Sequence, residues 1–353
     1  MTASKIVAAA ASGAGGGAGL DVDEVFKTHL WTGTGSAFSI NNGIDLSGEG
    51  GLVWIKNRGP NAANHALYDT ARGVRKFLHS NATNAQDTAS AGSGLTAFNS
   101  NGFSIGTGWV DENNSGQDVV SWTFRNSPMF QCLTYTGNGS TQDISHNLGS
   151  DVGMLIIRST SAANWFVWHR SLGDDAYLFL NGTNEEQNPG FDWIDVTSTT
   201  ISLQNNSSNT NGETFVAYLF AHHANDGSAT GFGPNGDSPV ISCGSYTGDN
   251  GSTGGVDINL GFEPQWVMVK ADKAADNWYI IDNMRGWVSH TNQANDAYVY
   301  ANATNAEATG GVLDITSTGF KTTLYSNANV NGRSYIYMAI RRGPLVAPTD
   351  ATK

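Results

Sequence analysis

Apolar and polar positions alternate along this chain in short bursts rather than in helical turns. LVWIK (52–56), MLIIR (154–158) and WVMVK (266–270) are five-residue runs, each ending in a base. Longer apolar runs are launched by a glycine: GQDVVSWTF (116–124), GETFVAYLF (212–220) and GRSYIYMAI (332–340). Runs this short, rich in β-branched and aromatic side chains and bounded by Gly, Asn and Ser, predict mostly buried strands. Convincing amphipathic helix is absent. Composition sharpens the picture, because 43 glycines and only 14% charged residues in 353 imply many turns and a surface of small uncharged polar groups.

The bursts recur in a fixed order, which makes internal repetition the main signal. WTGTGS (31–36), YTGNGS (135–140) and YTGDNGS (246–252) open three units. FLHSNATNAQ (77–86), LFLNGTNEEQ (178–187) and YVYANATNAE (298–307) mark their middles, and the glycine-launched runs close them. The units span 29–125, 133–221 and 244–342, each long enough for one small sandwich core. The expected fold is therefore all-β: three tandem small β-sandwich repeats of the jelly-roll or lectin-like kind. An extended Ala/Gly-rich arm (1–28) precedes them. A Gly-, Asp- and Asn-rich linker (222–243) separates the second and third, and a tail (343–353) reads as the lead-in to a distal region.

Charge removes several function classes. A formal net charge of −13 argues against nucleic-acid binding, which needs clustered Lys and Arg, and against docking on anionic lipid. No apolar run approaches the roughly 20 residues that span a bilayer, so no membrane insertion is expected. Residues 1–20 contain one basic residue, Lys5, and dissolve into glycine, unlike a secretory leader.

The most suggestive chemistry is YDTARG (68–73), an acid and a base three residues apart. It has a counterpart in IDNMRG (281–286), so Asp69 matches Asp282 and Arg72 matches Arg285. In the second unit the corresponding stretch is VWHRSLG (167–173), with an Arg but no acid. A grouping present twice with one degraded copy reads as a salt-bridged turn rather than a catalytic site. Cys132 and Cys243 stand at equivalent places in different units, which favours buried thiols over a disulfide. His222 and His223 are adjacent, a poor spacing for one ion, and no metal or cofactor is expected. No nucleophile elbow, P-loop or zinc-hydrolase helix appears, so no catalytic residue is assigned. Trp168, Trp193 and Trp287 are the candidates for stacking on a glycan, while Trp165 and Trp278, at matched positions, are expected in cores.

With these markers assembled, the chain resembles virion proteins of marine bacteriophages, cyanophage- and pelagiphage-like and described as tail fibre-like. The resemblance rests on INNGIDLSGEGGLVWIKNR (40–58), LYDTARGVRKFL (67–78), FNSNGFSIG (98–106), YTGNGS (135–140), GFEPQWVMVK (261–270) and YIYMAIRRGP (335–344), and covers 25–344. It implies a structural or adhesive role in the virion, in the tail, supporting host attachment. Partners would be other phage tail proteins, further copies of the chain in a homotrimer, and a host surface glycan. A lectin-like adhesin, a head fibre or decoration protein, and a polysaccharide depolymerase are the alternatives. The resemblance carries over no catalytic residues.

Overall fold

The computed structural model describes residues 19–107, 112–173, 175–204, 206–252, 254–287, 296–324 and 326–345. The regular structure of the described chain is almost wholly strand, in six antiparallel sheets, two per unit. In the first unit the larger sheet orders its strands Phe26–Thr32, Asp118–Arg125, Gly51–Asn57, His65–Asp69, Lys76–Leu78 and Asp87–Thr88. Its three-stranded partner orders them Phe38–Asn41, Gly102–Ile105 and Leu95–Asn99. The second and third units repeat this topology, the second without the outermost strand. Three small sandwiches result, as the strand pattern predicts.

The near-continuous apolar runs have a geometric reason. Successive strand residues face opposite sides of a sheet, and here both sides of each larger sheet are covered. Leu52 and Trp54 face a central core, while Val53 and Ile55 face the first unit's small sheet. Trp266 and Met268 face the same central core, and Val267 and Val269 face the third unit's small sheet. One run therefore feeds two cores.

That central core joins the units. Phe124 of the first unit has its ring 5.4 Å from Phe220 of the second and 6.2 Å from Trp266 of the third. The rims are braced cyclically by the N-x-T-N loops. The base ending each short run reaches into a neighbouring unit's loop: Arg158 Nη2 donates to Asn84 O (2.5 Å), Lys270 Nζ to Thr183 O (3.4 Å), and Lys56 Nζ to Thr304 O (3.2 Å). The loops also receive backbone bonds, Ala163 N to Thr83 O (3.1 Å), Asp276 N to Thr183 O (2.8 Å) and Ala63 N to Thr304 O (3.2 Å). First meets second, second meets third, and third meets first. The repeats close into a pseudo-threefold ring.

The opening markers have a local cause. Each is held by one fully buried asparagine, Asn113, Asn209 or Asn329. The side-chain oxygen of each accepts a backbone N–H of the marker, from Thr34 (2.8 Å), Asn138 (3.0 Å) and Asp249 (2.9 Å). The marker glycine is required by close approach, since a Cβ at Gly137 would lie 2.3 Å from Thr210 O.

Two segments depart from expectation. Of the arm, residues 1–18 lie outside the described residues. The rest is a capped helical turn, Val22–Glu24 with Asp21 as N-cap, leading into the first strand, and Val22, Val25 and Phe26 are fully buried. The stretch read as a linker, 222–243, closes one end of the central core with Phe232, which is fully buried, and its last residues begin the strand Ile241–Thr247. Its polar composition hides this, because a single large apolar side chain is enough to anchor it; burying a Phe is worth about 2 kcal/mol. The ends of the described chain meet there: Gly19 N donates to Gly233 O (2.9 Å), and Leu345 N donates to Asp21 Oδ2 (2.8 Å). Tail residues 346–353 lie outside the described residues. Among the described residues no helix is long and apolar enough to cross a membrane.

Candidate functional site

The two acid–base groupings sit at junctions between units. Asp69 ends the strand His65–Asp69 and accepts from Arg72 N (2.8 Å) and Arg72 Nε (2.5 Å). The same carboxylate accepts from Tyr218 Oη of the second unit (2.8 Å), and Arg72 Nη2 donates to Leu67 O (2.8 Å). Burial opposes charge on Arg72, but Asp69 and Tyr218 outweigh it and raise its pKa. Asp282 and Arg285 repeat the geometry, with Arg285 Nε donating to Asp282 Oδ2 at 2.6 Å. Here the neighbour's donor is Trp122 Nε1 of the first unit (2.9 Å), and the Arg285 guanidinium lies 5.3 Å from that ring's centroid. Each carboxylate thus stabilises its own turn and receives a proton donor from the adjoining unit. Both acids and both guanidinium groups are closed off from solvent, so nothing there meets a substrate.

The third junction is built differently. By strand register, His169 takes the place of Asp69 and Asp282: it pairs with Met154 as they pair with Leu52 and Trp266. Three residues on stands Leu172, where the other units have Arg. Arg170 is therefore not the surviving base of the motif; it occupies the place of Thr70 and Asn283. The substitution follows from the neighbour. Where Trp122 and Tyr218 offer a donor, the third unit offers Met338, against which a buried carboxylate would have no partner. His169 Nδ1 accepts from Ser171 N (3.2 Å), which leaves Nε2–H to donate to Tyr337 O (3.0 Å). Burial lowers the pKa of His169 to about 4, so the ring is neutral near pH 7.

Without the Asp–Arg pair this junction is open. Arg170 is exposed, and two adjoining cavities flank it. One, of about 270 Å³, includes Asp151, Arg170, His222 and Asp226 in its wall. The other, of about 460 Å³, includes Arg170, His222, Asn225, Ser242, Ser245 and Asn259, and no carboxylate.

The tryptophans divide. Trp165 and Trp278 are buried, and their Nε1 atoms donate to carbonyls of the adjoining unit, His79 O (2.8 Å) and Phe179 O (3.0 Å). Trp193 and Trp287 are not available to a glycan face. They are 2% and 1% exposed, with Nε1 donating to Ala176 O (3.3 Å) and Leu313 O (2.7 Å). Their neighbouring glycines suggest open turns, but each indole fills its own unit's core and satisfies its N–H there. Trp168 is half-buried against the core. A small cleft of about 70 Å³ beside Phe166, Tyr177 and the half-exposed Phe191 opens over Trp193.

Both cysteines are free and buried. Cys132 Sγ lies 3.6 Å from Gly51 O, and burial followed by the Asp69 charge raises its thiol to about 11. Among the described residues no group of three His, Cys, Asp or Glu side chains gathers as a metal site.

An all-β chain of three sandwiches closed into a ring, with structural ion pairs at two junctions and a cleft at the third, is the class of protein that this geometry defines. The chain belongs to the family described as Domain of unknown function (DUF7483), whose model matches residues 21–129 and 127–344. No curated protein matches it. Among solved structures, the crystal structure of the STIV MCP, a viral major capsid protein, aligns at 10% identity and a TM-score of 0.20, over 60% of this chain and 95% of that one. A superposition that loose carries no argument about fold or role.

Proposed function

We propose that the protein is a structural component of a phage virion, a tail fibre or tail-associated protein that supports host attachment. The observation that carries this reading is the closure of three repeats around one core, with both ends of the described chain at one end of the ring. Such a closed unit has two unlike ends, one carrying the chain ends and the segment 222–243, the other the loops around Thr83, Thr183 and Thr304 and the opening markers. The sequence resemblance to virion proteins points the same way. Because nearly all the large aromatics are buried within one chain, a homotrimer is not needed to cover them.

Cryo-EM of purified particles, with an antibody against the chain as fiducial, tests the reading. Density on the tail is expected. Label confined to the capsid shell would replace it with a head fibre or decoration protein, and absence from particles would remove the virion role.

A further inference from the structure

We propose that the cleft between the second and third units binds a carboxylate-bearing sugar residue, Arg170 and His222 holding the carboxylate and neighbouring Ser and Asn side chains the ring hydroxyls. The inference goes beyond the virion role and does not depend on where in a particle the chain sits.

Charge placement is the first argument. In a chain of net charge −13, the 460 Å³ cavity includes Arg170 in its wall and no acid; burial lowers His222 and His223 to about 4, so Arg170 is its one charge near pH 7. Arg170 forms no ion pair among the described residues, and a guanidinium is a planar donor fork matched to a carboxylate. His222 Nδ1 accepts from Cys243 N (3.2 Å), so Nε2–H is left as a donor on a ring that lines both cavities. The two acids nearby, Asp151 and Asp226, line the adjoining cavity instead.

Size and lining choose among anions. Small-molecule sites run from about 300 to 1,000 Å³, so the cavity is too large for a bare phosphate and suits one or two sugar rings. Ser242, Ser245, Asn225 and Asn259 supply hydroxyl and amide groups at its wall, the chemistry that pairs with ring hydroxyls. Two wall side chains approach the backbone closely only because of glycine: a Cβ at Gly244 would lie 2.5 Å from Tyr337 Oη, and one at Gly261 would lie 2.3 Å from Asn225 Nδ2.

The arrangement does not recur at the first–second junction. The places of Arg170 and His222 are taken by Thr70 and Asn126 at the first–second junction, where Thr70 Oγ1 accepts from Gly51 N (2.9 Å) and Asn126 Oδ1 from Cys132 N (2.9 Å). There both side chains are held by backbone donors, whereas Arg170 is exposed at the junction that lost its Asp–Arg pair.

The test is ligand-observed NMR titration of the full chain with D-galacturonate, D-galactose, inorganic phosphate and a short poly-glutamate peptide. Galacturonate is expected to bind with a dissociation constant near about 1 mM, at least tenfold tighter than galactose. Arg170→Gln should lose at least tenfold in that affinity with an unchanged melting temperature, since Arg170 is exposed. Equal affinity for galactose, no saturable binding of galacturonate, or binding indifferent to Arg170→Gln each overturns the proposal. Tighter binding of phosphate reduces the cleft to an anion site, and tighter binding of the peptide makes it a protein-docking site. None of these outcomes bears on where the chain sits in a virion.

Discussion

At the scale of single residues, the acid and base of YDTARG act across a boundary between units. Asp69 accepts from its own Arg72 and from Tyr218 of the next unit, so removing its charge strands a buried guanidinium. Asp69→Asn is expected to destabilise by about 3–5 kcal/mol, as for other buried pairs broken on one side, read from urea unfolding. His169 gives a pH test. Its unfolded pKa is the ordinary 6.5 and its folded value is lowered to about 4, so its contribution is fully present above pH 6.5 and is lost as pH falls toward 4. The loss from this ring is at most about 3 kcal/mol, and His169→Gln should flatten that part of the stability–pH curve. Trp287→Ala should lower stability by about 3–5 kcal/mol, the range for emptying a large aromatic site. A variant that kept full stability would contradict its burial. The pairing of Asp69 with Arg72 was legible from spacing, because a turn brings residues three apart together. The identity of His169 was not, because it answers Met338 and Tyr337 O in another unit, far away in sequence.

At the scale of elements, the strands and three markers were legible because each is a local pattern: alternation, a glycine launch, a repeated asparagine. Their closure into a ring was not. The polar contacts at the loop rims are made largely to backbone carbonyls, such as Thr83, Thr183 and Thr304 O, and a carbonyl is supplied by any residue. A side-chain trace at the rims was the base ending each short run, Lys56, Arg158 or Lys270, which strand alternation turns inward toward the neighbouring loop. Arg158 donates to Ser161 O (2.9 Å) and to Asn84 O across the boundary. Arg158→Met should cost about 1.5–3 kcal/mol by removing two charge-assisted hydrogen bonds, one of them across the boundary, against well under 1 kcal/mol for the exposed Lys76→Met. Equal effects would mean that the loops do not bear on the adjoining unit.

At the scale of the whole molecule, one core serves three sandwiches, so no single unit holds its inner face away from water alone. The segment 222–243 and the residues from Gly19 belong to the same closure, despite polar or glycine-rich compositions that read as loose chain. The central claim is that the repeats form one unit rather than three beads, and differential scanning calorimetry tests it most directly. The account predicts a single transition whose calorimetric and van't Hoff enthalpies agree. Two or three resolved transitions, with a calorimetric enthalpy well above the van't Hoff value, would contradict it.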